Sequence, residues 1–389
     1  MTGPLDDRSP LSFKVRDGHA PVPACGAVYR ADAWQRGGHQ REAIIGEGAA
    51  GPAWRLASDE GLHMKGTDLA PFPFGYFNAG LQGDLLRRLR DAAAASGIAL
   101  QAADITLDSE YALTGSFALG NACALAAPVQ IEIRLHSSAP ASSMAALVAD
   151  AMAASPALAL LRAPVPCRFA LWVDGRAQPL PGLVPAPAGD AIDPECAWPG
   201  GPHPLAGGGG EDTVIKTAVK EAGTPAIAPP GSTTRMVRNV TSRGRLSDAA
   251  GRTEVEAWLQ YPGSSHFLFR GNEGATASAP SGLALLAAGL AFCYMTQLSR
   301  TIEHLPSMAP FRTLRGARVV QMTPFESAAG QGGGRCGSID TLVFMERGAP
   351  AALYAELVTH AARGCFLRAA AAAALAPVLR LVHNGVLLP

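Results

Sequence analysis

Charge is scarce in this chain. Asp, Glu, Lys and Arg make up 16% of 389 residues, and 32 basic side chains face 32 acidic ones. A neutral chain with an isoelectric point near 7.1 lacks the basic surface that nonspecific nucleic-acid binding needs, so no nucleic-acid partner is expected. There is no CxxC, HExxH or HxH spacing, and neither a metal nor another cofactor is expected. The glycine runs Gly207–Gly210 and Gly332–Gly334 lack the lysine and helix of a phosphate loop and read as flexible loops. The longest apolar runs, Gly282–Met295 and Ala369–Leu379, are too short to span a bilayer, so no membrane association is expected. The first residues show no basic stretch followed by an apolar one, so no signal peptide is expected. Seven cysteines, an odd number, argue against a disulfide framework and for a reducing, cytoplasmic setting.

What the chain does contain is an echo of itself. Residues 129–163 run alongside 339–373 without a gap, at an offset of 210. "SSAP" falls on "RGAP", "ALVAD" on "ELVTH", and Ser155 on Cys365. The same offset matches the turn Asp174-Gly175 to Asn384-Gly385 and sets Gly83 against Cys293. Two copies of one domain are expected, over residues 1–175 and 231–389. The Pro- and Gly-dense stretch 176–230 reads as a connector with little to pack.

Each copy reads as α+β. Leu81, Leu85, Leu86 and Leu89 make the apolar stripe of a helix that begins near Gly75 and ends at Gly97. A second helix is expected over 144–161, capped by Ser142 or Ser143 and stopped by Pro164. In the second copy the matching helices are expected over 281–303 and 350–374. Alternating strands are expected over 129–136, 168–173, 234–240, 252–259 and 377–383, with 267–269 at an edge or loop.

Cys293 lies within the apolar run "LLAAGLAFCYMTQLSRTIEHL", and Cys365 follows glycine in "HAARGCFLRAA". Either alone reads equally well as a core cysteine, a common small hydrophobe. Together they allow a nucleophilic thiol and a resolving thiol, which condense to a disulfide once an oxidant makes a sulfenic acid. A reactive thiolate needs a cation nearby. Arg270 in "HFLFRGNEG" is the candidate, with Glu273 able to orient it, although both also suit a solvated loop. Cys336, in the "GGGRCG" loop, is a competing resolving thiol, while His360 is poorly spaced to deprotonate Cys365.

The order of an arginine loop, then "SAPSGLALLAAGLAFC", then "YAELVTHAARGCFL" resembles the OsmC/Ohr family of thiol peroxidases. The resemblance implies that Cys293 is the peroxidatic cysteine, Cys365 the resolving one and Arg270 the activating arginine. It implies reduction of organic hydroperoxides, recycling by small thiols or lipoylated proteins, and an intertwined dimer with long central helices packed on curved sheets. A tandem chain is then expected to form that dimer within one polypeptide, with further oligomerisation open.

The chain also departs from the family pattern. Pro280-Ser281-Gly282 stands where the family carries glutamate, and Phe366-Leu367-Arg368 where it carries Pro-Val-Ser. No cysteine occurs between Gly26 and Ala122, so the first copy reads as a degenerate partner. "WRLASDEG", with Arg55 and Glu60, faintly resembles "LFRGNEG", and Phe72–Phe77 would suit an apolar pocket wall. Asp84 and His63 read best as solvated surface residues. Two alternatives stay open beside peroxide reduction: another thiol chemistry, such as sulfur or acyl transfer, and a non-catalytic binding or structural protein with inert core cysteines.

Overall fold

The computed structural model describes residues 3–18, 27–187, 192–205, 212–225, 232–247, 251–273, 277–327 and 333–389. Cys25 and the glycine run 207–210 lie outside them. The first half holds β1 (Ser12–Arg16), β2 (Ala27–Gly37), β3 (Gln40–Glu47), β4 (Ala53–Ser58), α1 (Pro73–Ala95), β5 (Ala102–Thr114), β6 (Cys123–Ala126), β7 (Gln130–His136), α2 (Ala141–Ala154), α3 (Pro156–Arg162), β8 (Cys167–Val173) and β9 (Arg176–Gln178). After α4 (Pro194–Ala197) the second half repeats that order. It holds β10 (Val214–Lys220), β11 (Thr234–Leu246), β12 (Thr253–Leu259), β13 (Ser265–Gly271), α5 (Gly282–His304), β14 (Arg318–Ser327), β15 (Gly334–Cys336), β16 (Ile339–Met345), α6 (Ala351–Gly364), α7 (Phe366–Ala372), β17 (Val378–His383) and β18 (Val386–Leu387).

The strands form two sheets of matching order. One runs β1-β4-β3-β2-β14-β16-β8-β9, with β15 beside β14; the other runs β10-β13-β12-β11-β5-β7-β17-β18, with β6 beside β5. Each sheet therefore takes strands from both halves. The joins are β2 with β14 and β16 with β8 in the first sheet, and β11 with β5 and β7 with β17 in the second.

The long helices lie between the sheets. α5 packs on β2, β3 and β14, whereas α1 packs on β5, β11 and β12. By length and composition α5 is able to cross a bilayer, yet 94% of its apolar window is buried in this core. α1 and α5 cross antiparallel with backbones in contact. A Cβ on Gly80 would lie 2.5 Å from the Leu286 nitrogen, and one on Gly289 would lie 2.7 Å from that of Phe77. Only glycine permits that approach.

Two expected helices are broken. The first-half helix bends by 79° between α2 and α3. Ser155 is extended there, its hydroxyl accepts from Leu158 N–H, and Pro156 cannot continue the α2 ladder. The second-half helix breaks at the same place, where Cys365 adopts φ −82° and ψ 114° between α6 and α7. The helix over 141–154 starts from Pro140 with no side-chain cap, so neither Ser142 nor Ser143 plays that part.

The Pro/Gly-rich connector contains ordered pieces. β10 joins the second sheet beside β13. α4 docks on the first sheet through Asp193 on Arg318 (2.8 Å), Glu195 on Arg315, and Trp198, whose indole N–H donates to Asp32 at 2.9 Å.

Candidate active site

Cys293 lies on the buried middle of α5, and Cys365 is the extended residue that joins α6 to α7. The break sets the backbone of Cys365 in an extended conformation (φ −82°, ψ 114°) at the start of α7. The two sulfurs stand 3.6 Å apart, both thiols free, with 1% and 2% of the residues exposed.

In front of Cys293 is a cavity of about 30 Å³, room for roughly two waters. Phe72, Pro73, Phe74 and Phe366 form its apolar wall, while Glu60, Arg238, Gln297 and Arg300 bring polar groups. The start of the Phe72–Phe77 segment thus lines a pocket as its composition suggested. Cys365 does not reach this cavity. It borders a smaller one of about 10 Å³ on the opposite side, under the first sheet.

Glu60 comes from the first half, just after β4, and it is held from several sides. The Asp59 carboxylate accepts from the N–H groups of Glu60, Thr67 and Leu69, fixing the loop. Thr296 on α5 donates to Glu60 at 2.6 Å. Burial raises the Glu60 carboxyl pKa, opposed by the nearby Arg41 charge. Burial lowers Arg300 to about 10, with Glu60 pulling the other way, and its guanidinium stacks 4.3 Å over Phe117. His63, stacked on Tyr261, is pushed down to about 4 by burial and by Arg238 and Arg300, so it is neutral at pH 7.

Three polar atoms on the cavity residues have no protein partner: the Arg238 Nε–H donor, the Gln297 Oε1 acceptor and His63 Nδ1. Buried polar groups are rarely left so without a ligand or water to satisfy them.

The thiols divide their proton unequally. Burial raises Cys293, and the contact with Cys365 raises it further. Burial also disfavours the Cys365 thiolate, but hydrogen bonding from Cys293, the Arg368 and Leu367 N–H groups and the Arg368 charge outweigh it, so Cys365 is lowered. Of the two, Cys293 holds its proton more tightly and Cys365 gives its proton up more readily.

The structure brings Cys293 and Cys365 together and places Arg270 and Glu273 elsewhere. Arg270 donates to Glu254 at 3.5 Å and to the Asp212 carbonyl at 3.2 Å, and Glu273 pairs with Arg87 of α1 at 3.1 Å. Neither lines the Cys293 cavity. The reason is topological: the loop after β13 borders α1, and the loop after β4 reaches α5. Cys336 is also absent from the front cavity, and His360 bonds Glu356 and Arg363.

Sequence reasoning missed Arg238, Gln297 and Arg300, and treated Glu60 only as a faint echo. Alignment of "WRLASDEG" with "LFRGNEG" was the available signal, because Glu60 stands where Glu273 stands in the other copy. Asp84, expected at the surface, is fully buried. α1 and α5 match at an offset of 209, so Asp84 and not Gly83 takes the place of Cys293.

These features define an α+β protein with a buried thiol pair beneath a small, mostly apolar cavity. No family model and no curated protein matches the chain. One similar solved structure is described as an OsmC-like hydroperoxide resistance protein from Jannaschia sp. CCS1. It is 22% identical, covers 39% of this chain and 97% of its own, and has a TM-score of 0.25. A likeness at that level carries no argument for the site.

Proposed function

We propose that this chain is a thiol-dependent hydroperoxide reductase with one active site, built as two OsmC-like copies that interpenetrate as a fused pseudo-dimer. One observation supports the reading: a pair of free thiols in contact beneath a cavity whose lining residues carry unpaired polar atoms, the Arg238 Nε–H donor, the Gln297 Oε1 acceptor and His63 Nδ1. A hydroperoxide terminus carries both complementary functions, an O–H and acceptor oxygens. The Phe-rich wall suits an organic remainder.

The chemistry follows from the proton distribution. Cys293 passes its proton to Cys365 as it attacks the distal peroxide oxygen, with Arg238 and Arg300 stabilising the negative charge. The O–O bond breaks, Cys293 becomes a sulfenic acid, and the alkoxide takes the proton from Cys365 to leave as alcohol. The Cys365 thiolate then displaces hydroxide from Cys293, giving the disulfide and, after protonation, water. An external thiol or a lipoylated protein supplies the two electrons that restore the dithiol.

The test is consumption of cumene hydroperoxide with dihydrolipoamide as reductant. Cys293→Ser should abolish it. Cys365→Ser should slow the first turnover, because the proton acceptor is lost, and leave a sulfenic acid that a dimedone probe traps. Full turnover by Cys293→Ser would overturn the reading.

A further inference from the structure

Behind Cys365 lies a third thiol that the peroxide chemistry does not use. Cys167 opens β8, on the face that also carries the buried Phe169, Leu171 and Val173. Together with Cys365, Arg368 and Tyr294 it lines the rear cavity. Arg368 Nε is buried there with no protein partner. The Cys365 charge acts on Cys167 and is among the groups that raise it.

The two cavities divide the thiols between them. The front cavity touches Cys293 and not Cys365; the rear cavity touches Cys365 and Cys167 but not Cys293. A nucleophile entering through the rear cavity therefore meets Cys365 and not Cys293. Cys293 and Cys365 are almost wholly enclosed, whereas Cys167 is partly exposed. A reductant that approached through the front cavity would compete with the peroxide for about 30 Å³.

We propose that Cys167 is a second-stage exchange cysteine that carries the disulfide from the buried pair toward the surface. This inference rests on the peroxidase reading for the source of the first disulfide. The Cys167 thiolate attacks Cys365 Sγ, a Cys167–Cys365 bond forms, and the Cys293–Cys365 bond breaks. Cys293 leaves as thiolate and regains the proton that Cys167 gave up, so no electrons are gained or lost in this step. An external dithiol then reduces the Cys167–Cys365 disulfide from the first sheet, leaving the front cavity free. Burial holds Cys167 up at about 11, with the Arg368 charge opposing it, so exchange is slower than formation of the first disulfide.

The test oxidises the full chain with one equivalent of cumene hydroperoxide, quenches with acid and N-ethylmaleimide over time, and maps disulfides by mass spectrometry. The Cys293–Cys365 disulfide should appear first and give way to a bond that contains Cys167. Cys167→Ser and Cys167→Val should stop at Cys293–Cys365, consume the first equivalent of peroxide at the wild-type rate, and be recycled by dihydrolipoamide at least fivefold more slowly. Only Cys293–Cys365 in the wild type, with unchanged recycling in both variants, overturns the proposal. Diamide, which oxidises dithiols without peroxide, separates the two readings. A Cys167 disulfide after diamide supports exchange even if hydroperoxide is not consumed, and its absence rejects exchange even if hydroperoxide is.

Discussion

The Ser155 hydroxyl donates to the Asp84 carboxylate at 2.5 Å, and these two residues occupy the places that Cys365 and Cys293 hold in the other half. The carboxylate also accepts from Ala157 N–H at 3.2 Å and from Arg88 at 3.1 Å. The first-half position is thus closed by a satisfied polar network in place of a dithiol. Both residues are fully buried.

Ser155→Ala removes this bond and the cap of α3 together. The expected loss is about 1–3 kcal/mol, read as a lower denaturation midpoint in urea. Hydroperoxide consumption per folded molecule should stay near wild type, because the change lies in the other half's site.

Gln297→Met tests the unpaired acceptor. Methionine preserves the length and helical fit of the side chain but presents no amide oxygen to the cavity. Stability should move little, and kcat/KM for cumene hydroperoxide should fall about tenfold, the worth of one buried hydrogen bond.

Glu47 gives a pH signature. It is 2% exposed, accepts from Trp54 Nε1–H at 2.9 Å and Ser281 N–H at 3.0 Å, and burial raises it to about 7 from 4.5. A carboxyl whose pKa is raised in the folded state holds its proton more tightly there than in the unfolded chain. Its contribution is complete below about pH 4.5 and is lost as pH rises through 7, about 3 kcal/mol in all. His63 has the opposite sign: lowered to about 4, it makes stability rise with pH between there and 6.5. The comparison that isolates Glu47 is the difference between Glu47→Gln and wild type. The variant should gain relative stability from pH 5 to pH 8 in urea titrations, and a flat difference would rule the assignment out.

Gly289→Ala places a methyl 2.7 Å from the Phe77 nitrogen, a backbone atom that cannot rotate away. α1 and α5 must separate, at about 3 kcal/mol, the upper end for an overpacked core. Because α5 carries Cys293, thermal denaturation and hydroperoxide turnover should both suffer, unlike in Ser155→Ala.

Much of the local structure was legible. The leucine spacing of residues 81–89 announced α1, and the apolar run after Ser281 announced α5, because amphipathic or buried helices write their period into the sequence. The echo between residues 129–163 and 339–373 anticipated matching elements. The bends at Ser155 and Cys365 were harder: alanine-rich flanks favour helix on both sides, and no proline follows Cys365. The site itself was half visible. Two cysteines on expected helices could be paired by resemblance, but the choice of Arg270 and Glu273 assumed that a loop serves the helix that follows it. Here the loop carrying Glu60 serves a helix more than 200 residues away. Such a crossing is decided by strand pairing between halves, and no short-range pattern encodes it.

The junctions of β14 with β2 and β16 with β8 also set a timetable. During synthesis β2 and β8 are complete while the strands that lie between them are still unmade. β14 emerges about 150 residues after β8, a delay of roughly 10–30 s at ordinary elongation rates. For that interval the newborn chain exposes the open edges of two apolar strands, the condition that invites pairing with neighbouring nascent chains. The protein's yield in a cell should therefore depend on chaperone supply more than its folded stability suggests.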